Sequence, residues 1–485
     1  MITPRTRRAM ATGLACVMAL SMKTGCAVRV VPLADARDDA ALSATDAAVD
    51  PMAPDDRPAA TVDAPSAEDR PPTATDSPPA VDVPTTTGRG GVDLLVVVDN
   101  SNSMRAGQDL LNANLGPLVL NLLARQGVRD VHVGVVSSDL GADGASIPSC
   151  GAVLGDDAVL NPRTRGAAVA MHPPGDGPAE IFCTPAVRAA PFLSLSNAVD
   201  AMAVYWSPAC HSNLGLGGCG LEQPLEAALR ALTTQASPGA PNAGFLRPEA
   251  TLAVLLLTDE DDGSVRDCRR HDGVGPCDDA RDVYQASSTR WGSPDLNLRL
   301  YDFAPGSAQD PTWPLERYVD PARPTRGLLG LKPGHPERIV FGAITGVPTA
   351  MPRTPDGSPD WDALLGPAPA GRPDDFAARD ERLAYTAAGA PEGPVSMRQR
   401  EADPACPQRL LPACRQAQTA PSCSLATQPI AWRARRIAEV ARRFDVSALC
   451  AGGPCRNGMV ASLCAHTDTT PFQRFAEMIA RRVGP

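Results

Sequence analysis

Val92-Asp93-Leu94-Leu95-Val96-Val97-Val98-Asp99-Asn100-Ser101-Asn102-Ser103 is the stretch on which the reading of this chain turns. Its first seven residues are almost continuously apolar and rich in β-branched side chains. A half-exposed strand alternates, whereas an unbroken run of this length fits a strand buried on both faces, as in a parallel sheet covered by helices. A polar turn follows. Beyond it Leu110, Leu111, Leu115, Leu118 and Leu122 recur at helical spacing, and Gly127 stands where a helix stop belongs. Val131-His132-Val133-Gly134-Val135-Val136 predicts a second strand. Strand, helix and strand in so short a span make a βαβ unit, with parallel strands and a right-handed crossover.

The pattern continues outward. Residues 224–232 predict a helix with Pro in its first turn, and 252–257 a buried strand that ends in Thr258-Asp259. A further strand is expected at 338–344, an Arg-rich amphipathic helix at 430–444, a short strand at 459–463 and a closing helix at 472–483. The class is α/β and Rossmann-like, a central, mostly parallel β-sheet flanked by helices. Two stretches, about 265–335 and 347–428, are rich in Pro, Gly, Arg and Asp and hold five cysteines. They read as long disulfide-containing insertions in one domain, not as a second core.

The N-terminus carries Arg5, Arg7 and Arg8 ahead of an apolar run at 9–22 that is too short to span a bilayer. Residues 1–26 therefore read as a signal peptide. Lys23-Thr24-Gly25-Cys26 resembles the end of a bacterial lipobox and makes Cys26 a candidate for lipidation. Lys23 departs from that pattern, which wants an apolar residue there, and ordinary cleavage is the alternative. Residues 27–91 are Pro, Ala, Asp, Thr and Ser with no aromatic and no cysteine, the composition of a disordered tether. The expected location is outside the cytoplasm, as an outer-membrane or cell-surface lipoprotein, with a periplasmic or secreted protein as the alternative. Membrane contact is expected only through the N-terminal lipid anchor.

Hydrophobic residues make up 43% of the chain and aromatics only 4%, so a sizeable core is expected and it is mostly aliphatic. The net charge of −10 argues against nucleic acid as a partner, because no basic stretch is present to neutralise phosphates. Apart from Cys16 and Cys26, the cysteines are Cys150, Cys183, Cys210, Cys219, Cys268, Cys277, Cys406, Cys414, Cys423, Cys450, Cys455 and Cys464. An even set in an exported chain reads as disulfides. Cys268 with Cys277, and Cys450 with Cys455, are close enough for local bridges. Zinc is the weaker alternative, since there is no CxxC pair and the histidines are few and scattered.

Asp99, Ser101 and Ser103 form a DxSxS motif at the end of the first strand, where open α/β sheets bind ligands. Alternate residues of the turn can aim one carboxylate and two hydroxyls to one side, and these hard oxygen donors suit Mg²⁺. The bland alternative is that Asp99 caps the helix. In this setting the motif resembles the metal-ion-dependent adhesion site (MIDAS) of von Willebrand factor A (vWA) domains. The resemblance covers 92–483, broken by the two insertions, within a domain expected at 92–485, and the whole arrangement is similar to bacterial lipoproteins of deltaproteobacterial type. It implies a second carboxylate from the end of a later strand, and Thr258-Asp259 matches, so Asp259 is the candidate. Glu260-Asp261-Asp262 follows where the family has Gly, either as a solvated acidic loop or as an auxiliary cation site. The family also supplies a Thr before a later helix, but Gly217-Gly218-Cys219-Gly220 puts Cys219 at that position. Glu222 either substitutes as an oxygen donor or serves as a first-turn charge suited to the helix dipole.

The function implied is binding. A divalent cation, Mg²⁺ first with Mn²⁺ or Ca²⁺ as alternatives, coordinates a carboxylate of an unidentified protein partner, making the chain an adhesion module on the cell envelope. A structural envelope protein with a degenerate metal site is the alternative. An enzyme is not expected: there is no Gly-x-Ser-x-Gly elbow, no HExxH and no Walker A loop. His132, His211 and His466 have no motif context.

Overall fold

The computed structural model describes residues 89–143, 145, 147, 150, 155–162, 181–266, 281–285, 296–300, 310–366, 429–451, 453–465 and 467–484. It also describes the backbone at 402–403, 406–410 and 412–415. The chain divides into two units, Met1–Ala80 and Val81–Pro485, and every described residue belongs to the second. The signal peptide, Cys26 and the tether up to 88 lie outside the described residues, as do Cys268, Cys277, Cys423 and His466.

Strand β1 (Val92–Val98) leads through helix α1 (Arg105–Leu120) and a π-helical turn at Asn121–Arg125 to strand β2 (Asp130–Ser137). Gly127, at φ +69°, provides the left-handed residue that ends the helix. Next come α2 (Pro185–Ala189), β3 (Leu193–Ser196), α3 (Ala201–Ser212), α4 (Pro224–Leu232) and β4 (Thr251–Leu257). A short α5 (Leu296–Arg299) precedes β5 (Ile339–Thr345) and α6 (Trp361–Leu365). Four short strands follow, β6 (Ala402–Asp403), β7 (Cys406–Leu410), β8 (Pro412–Arg415) and β9 (Pro429–Trp432). Helix α7 (Arg435–Val446), strand β10 (Gly458–Ser462) and helix α8 (Thr470–Ala480) close the chain.

The main sheet has six strands in the order β10-β5-β4-β1-β2-β3. All neighbours are parallel except β2 and β3. The expected α/β class with a mostly parallel, helix-flanked sheet is therefore what the chain adopts. Successive strands run outward from β1 through β2 to β3, and then the chain crosses to β4 on the other side. The boundary between β1 and β4 is thus the point where strand order reverses, and open α/β sheets bind ligands at the carboxyl ends of the strands there.

Both faces of β1 are covered, which explains its unbroken apolar run. Leu95 and Val97 pack with α4, α6 and α7, while Leu94, Val96 and Val98 pack with α1 and α8. Burying each such side chain stabilises the fold by about 1.5–3 kcal/mol. Leu315, Tyr318, Val319, Leu328 and Leu329, then Trp361, Leu364 and Leu365, fill the first of these cores. Parts of both expected insertions thus cover the sheet.

Asp93, the one polar residue in the β1 run, is buried at the opposite end of the sheet from Asp99. It accepts from Arg247 N–H at 2.8 Å and Arg247 Nε at 2.7 Å, with Lys332 Nζ at 3.5 Å. His132 belongs to this end too: its Nδ1 lies 3.0 Å from the Phe245 carbonyl, and its ring is 4.8 Å from that of Phe192. His211 is held through Nε2 by the Val187 carbonyl at 2.7 Å.

Three sequence expectations change. The helix expected from 430 begins at Arg435, because Pro429–Trp432 is a strand paired with β8. Arg89 and Gly90, expected in the tether, belong to the fold, since Arg89 N–H donates to Gly127 O at 2.8 Å and Gly90 N–H to Gly484 O at 2.9 Å. The edge strand β3 and helix α3 had no reading in the sequence. Disulfides join Cys450 to Cys455, as the spacing suggested, and Cys150 to Cys219 and Cys183 to Cys210, while Cys464 is also bridged.

Candidate metal-binding site

Parallel pairing in register brings the ends of three strands level. Val98 lies beside Ser137 on one side and Leu257 on the other. Ser138, Asp99 and Thr258, the next residues of each chain segment, therefore stand side by side. Asp99 N–H donates to Leu257 O at 2.9 Å, and Ser138 N–H to Val98 O at 3.1 Å. The sheet ladder itself positions the site.

Asp99 is fully buried. Its Oδ1 accepts from Ser101 N–H at 2.8 Å, and its Oδ2 accepts from the Thr258 hydroxyl at 2.8 Å. Ser101 Oγ and Ser103 Oγ share a hydrogen bond of 3.0 Å, so the two hydroxyls of the motif face the same side. Ser103 is exposed and marks the opening of the site. The Asp99 carboxylate spends its hydrogen bonds on Ser101 N–H and the Thr258 hydroxyl, not on a backbone N–H of α1. Gln108 Nε2 reaches back from α1 to donate to Asp99 O at 3.2 Å and Gly215 O at 2.7 Å, tying the turn to the loop before α4.

That loop crosses directly over the turn. Gly218 N–H donates to Asn100 O at 2.8 Å, and a Cβ on Gly218 would lie 1.9 Å from Asn100 Oδ1. Only glycine permits this approach. Cys219 is bonded to Cys150 and supplies no ligand. Glu222 enters from the same loop and is 1% exposed; the Ser138 hydroxyl donates to its Oε2, and its Oε1 has no hydrogen-bond partner.

Asp259 completes the group. It is 1% exposed, and neither carboxyl oxygen has a hydrogen-bond partner, although Asp99 and Ser103 are its neighbours. Burial pushes the Asp259 carboxyl well above the usual carboxylate range, and the charges of Asp99 and Glu260 push it further. Glu222 is raised well above its ordinary value by burial first, then by Asp99 and Glu260. Burial raises Asp99 as well, against the hydrogen bonds from Ser101 and Thr258. The structure brings together all five sequence candidates: Asp99, Ser101, Ser103, Asp259 and Glu222.

Their chemistry fits a hard cation. Buried carboxylate oxygens without donors are costly alone and are neutralised by a shared positive ion. Among the described residues no three His, Cys, Asp or Glu side chains are grouped so as to hold a metal by themselves. A cation site here must therefore draw on the serine hydroxyls together with the carboxylates.

The acidic run after Asp259 is buried and not solvated. Asp261 caps α7, accepting at Oδ1 from Arg436 N–H at 3.0 Å and Ile437 N–H at 3.2 Å. Asp262 is fully buried and accepts from Arg436 Nε at 3.1 Å and Nη2 at 3.0 Å, from Leu225 N–H at the start of α4, and from Ser264. Both carboxylates serve the scaffold, so the expectation of a solvated acidic loop does not hold for Asp261 and Asp262. Sequence reasoning missed this because Arg436 is 174 residues from Asp262. It also missed Ser138, whose only signal was its place just after a predicted strand.

Compared with family models, with curated proteins and with solved structures, the chain matches none.

Proposed function

We propose that residues 92–485 form a vWA-type domain that binds a protein partner through a divalent cation, Mg²⁺ first, on an exported protein of the cell envelope. The observation that carries this reading is Asp259: a carboxyl 1% exposed, with both oxygens unpartnered, beside Asp99 at the switch point of the sheet. Asp99, Ser101, Ser103 and Asp259 would hold the ion. Thr258 and Ser101 N–H orient the Asp99 carboxylate, and Gln108 holds the turn against the loop that follows it. A bound dication supplies a Lewis-acidic centre at which one oxygen of a partner can dock. The exposure of Ser103 supports a site that opens to the surface on that side. Export is supported by disulfides between Cys150 and Cys219, Cys183 and Cys210, and Cys450 and Cys455, which persist in oxidising compartments.

The test is thermal unfolding of the oxidised chain in chelator and then in Mg²⁺, Mn²⁺ or Ca²⁺, beside Asp99→Ala. A ligand bound only by the native state at about 100 times its Kd adds about 2.7 kcal/mol. A rise in midpoint that vanishes in Asp99→Ala is the expected result. The disulfide at Cys219 favours a second reading, a structural envelope protein with a degenerate site. A midpoint indifferent to every cation would select it.

A further inference from the structure

Helix α4 turns one face towards the segment from Trp313 to Gly327. Glu226, Arg230 and Thr233 recur on that face at helical spacing. Between helix and segment lies a cavity of about 420 Å³, a size within the roughly 300–1,000 Å³ of small-molecule sites. Four guanidiniums line it, those of Arg230, Arg317, Arg323 and Arg326, against the carboxylates of Glu226 and Glu316. That is a local excess of positive charge in a chain whose net charge is −10.

Both carboxylates are already matched. Glu226 accepts from Arg317 Nε at 2.7 Å and Nη2 at 2.8 Å, and Glu316 pairs at 2.8 Å with Arg443, which does not line the cavity. The arginines are also held in place. Gln235 Nε2 donates to Asp157 Oδ2 at 3.0 Å, and Asp157 in turn pairs with the buried Arg230. The Arg317 guanidinium stands 4.2 Å from the centre of the Trp313 ring. Leu328 N–H donates to Tyr318 O at 2.8 Å, which fastens the turn bearing Arg323 and Arg326 beside Arg317. Arg323 is matched by Asp320, whereas Arg326 is exposed and has no acidic partner among the described residues. Like charges gathered round one cavity repel, and an anion seated among them removes that cost.

We infer that this cavity is a binding site for a small organic oxyanion, a carboxylate or a phosphate ester carried on an apolar body. Guanidinium forks match the oxygens of both groups two at a time. Leu229, Trp313 and Pro314 give the body an apolar wall to lie against. The cavity shares no lining residue with the group around Asp99, so the inference does not rest on the cation site.

The metal-free oxidised chain is titrated by calorimetry with phenyl phosphate and with benzoate. Their bare counterparts, inorganic phosphate and acetate, and the neutral benzyl alcohol are titrated beside them. At least one aromatic anion should bind at a single site with a Kd below about 1 mM, and the two arms tell phosphate ester from carboxylate. Its bare counterpart and benzyl alcohol should each bind at least about ten-fold more weakly. Arg326→Ala should weaken binding by at least about ten-fold with an unchanged thermal midpoint, the loss of one charge-assisted hydrogen bond. Arg125→Ala, which removes an exposed arginine in the turn after α1, should leave the affinity unchanged. Binding of neither aromatic anion by the unaltered chain overturns the inference, and that arm needs no variant to fold. Equal affinity in Arg326→Ala, or a bare anion bound as tightly as its aromatic counterpart, overturns it as well.

Discussion

Thr258 and Asp99, 159 residues apart in sequence, are joined by a 2.8 Å hydrogen bond across the boundary where strand order reverses. The donor is the Thr258 hydroxyl and the acceptor is Asp99 Oδ2, both fully buried. Thr258→Val keeps the shape and removes the donor. It should cost about 1–3 kcal/mol of stability, the penalty for a buried acceptor left unsatisfied. Thr258→Ser, which retains the hydroxyl, should lose less. Urea unfolding of both variants checks this, and equal losses would show that the methyl group, not the bond, matters.

Site carboxyls make the chain sensitive to pH in a definite direction. Asp99, Asp259 and Glu222 are all raised, burial being the first cause in each. A carboxyl with a higher pKa folded than unfolded binds more protons when folded. Its stabilisation is complete below the unfolded value and is lost as pH rises through the folded one. In chelator, the thermal midpoint should therefore fall as pH climbs from about 4.5 towards neutrality. Asp259→Asn should flatten part of that slope and raise the midpoint at neutral pH. Stabilisation by added Mg²⁺ should grow over the same range, because the ion binds deprotonated carboxylates. A slope unchanged by Asp259→Asn would contradict the assignment.

Arg436 is held charged in the interior, where the carboxylates of Asp262 and Asp310 outweigh the cost of burial. Arg436→Met leaves Asp262 buried and unpaired, and should cost about 3–5 kcal/mol. Adding Asp262→Asn should recover part of that loss, since the stranded charge is gone. Chemical denaturation of the two single variants and the double variant gives the coupling directly. Strict additivity would mean that the pair does not act as one unit.

Cys150–Cys219 closes a loop with a sequence separation of 69. Chain-entropy reasoning gives about 4 kcal/mol for a loop of that length. Replacing both cysteines with Ser should therefore lower stability by that order and loosen the loop that carries Gly218 and Glu222. Amide exchange at Gly218, whose N–H is bonded to Asn100 O, reports the loosening. Unchanged protection there would show that Gln108 and Asn100 hold the loop without the disulfide.

Much of the scaffold was legible because its signals are local. The runs at 92–98 and 252–257 are strands in the structure, and the helix at 224–232 has the predicted bounds, with Pro224 at its start. Strands buried on both faces need apolar residues at every position, so composition alone reveals them. β3 is only four residues long at an edge, and α3 holds Pro208, so neither carries a clear periodic pattern. The strand at 429–432 merged with the following helix because Ile430 and Trp432 fit either period over so short a span.

Sequence by itself determined the class of fold, the turn that bears Asp99, Ser101 and Ser103, and the second carboxyl at Asp259, since each lies at the end of a strand whose apolar run announces it. Only tertiary structure decided what surrounds them. It turned Asp261 and Asp262 into a helix cap and an internal ion pair, joined Cys219 to Cys150, and set Glu222 against Ser138 with one oxygen unpartnered. A charged side chain has no fixed role in isolation. Its protonation and its partners follow from burial and from groups that the fold brings from far along the chain, and no local pattern records that meeting.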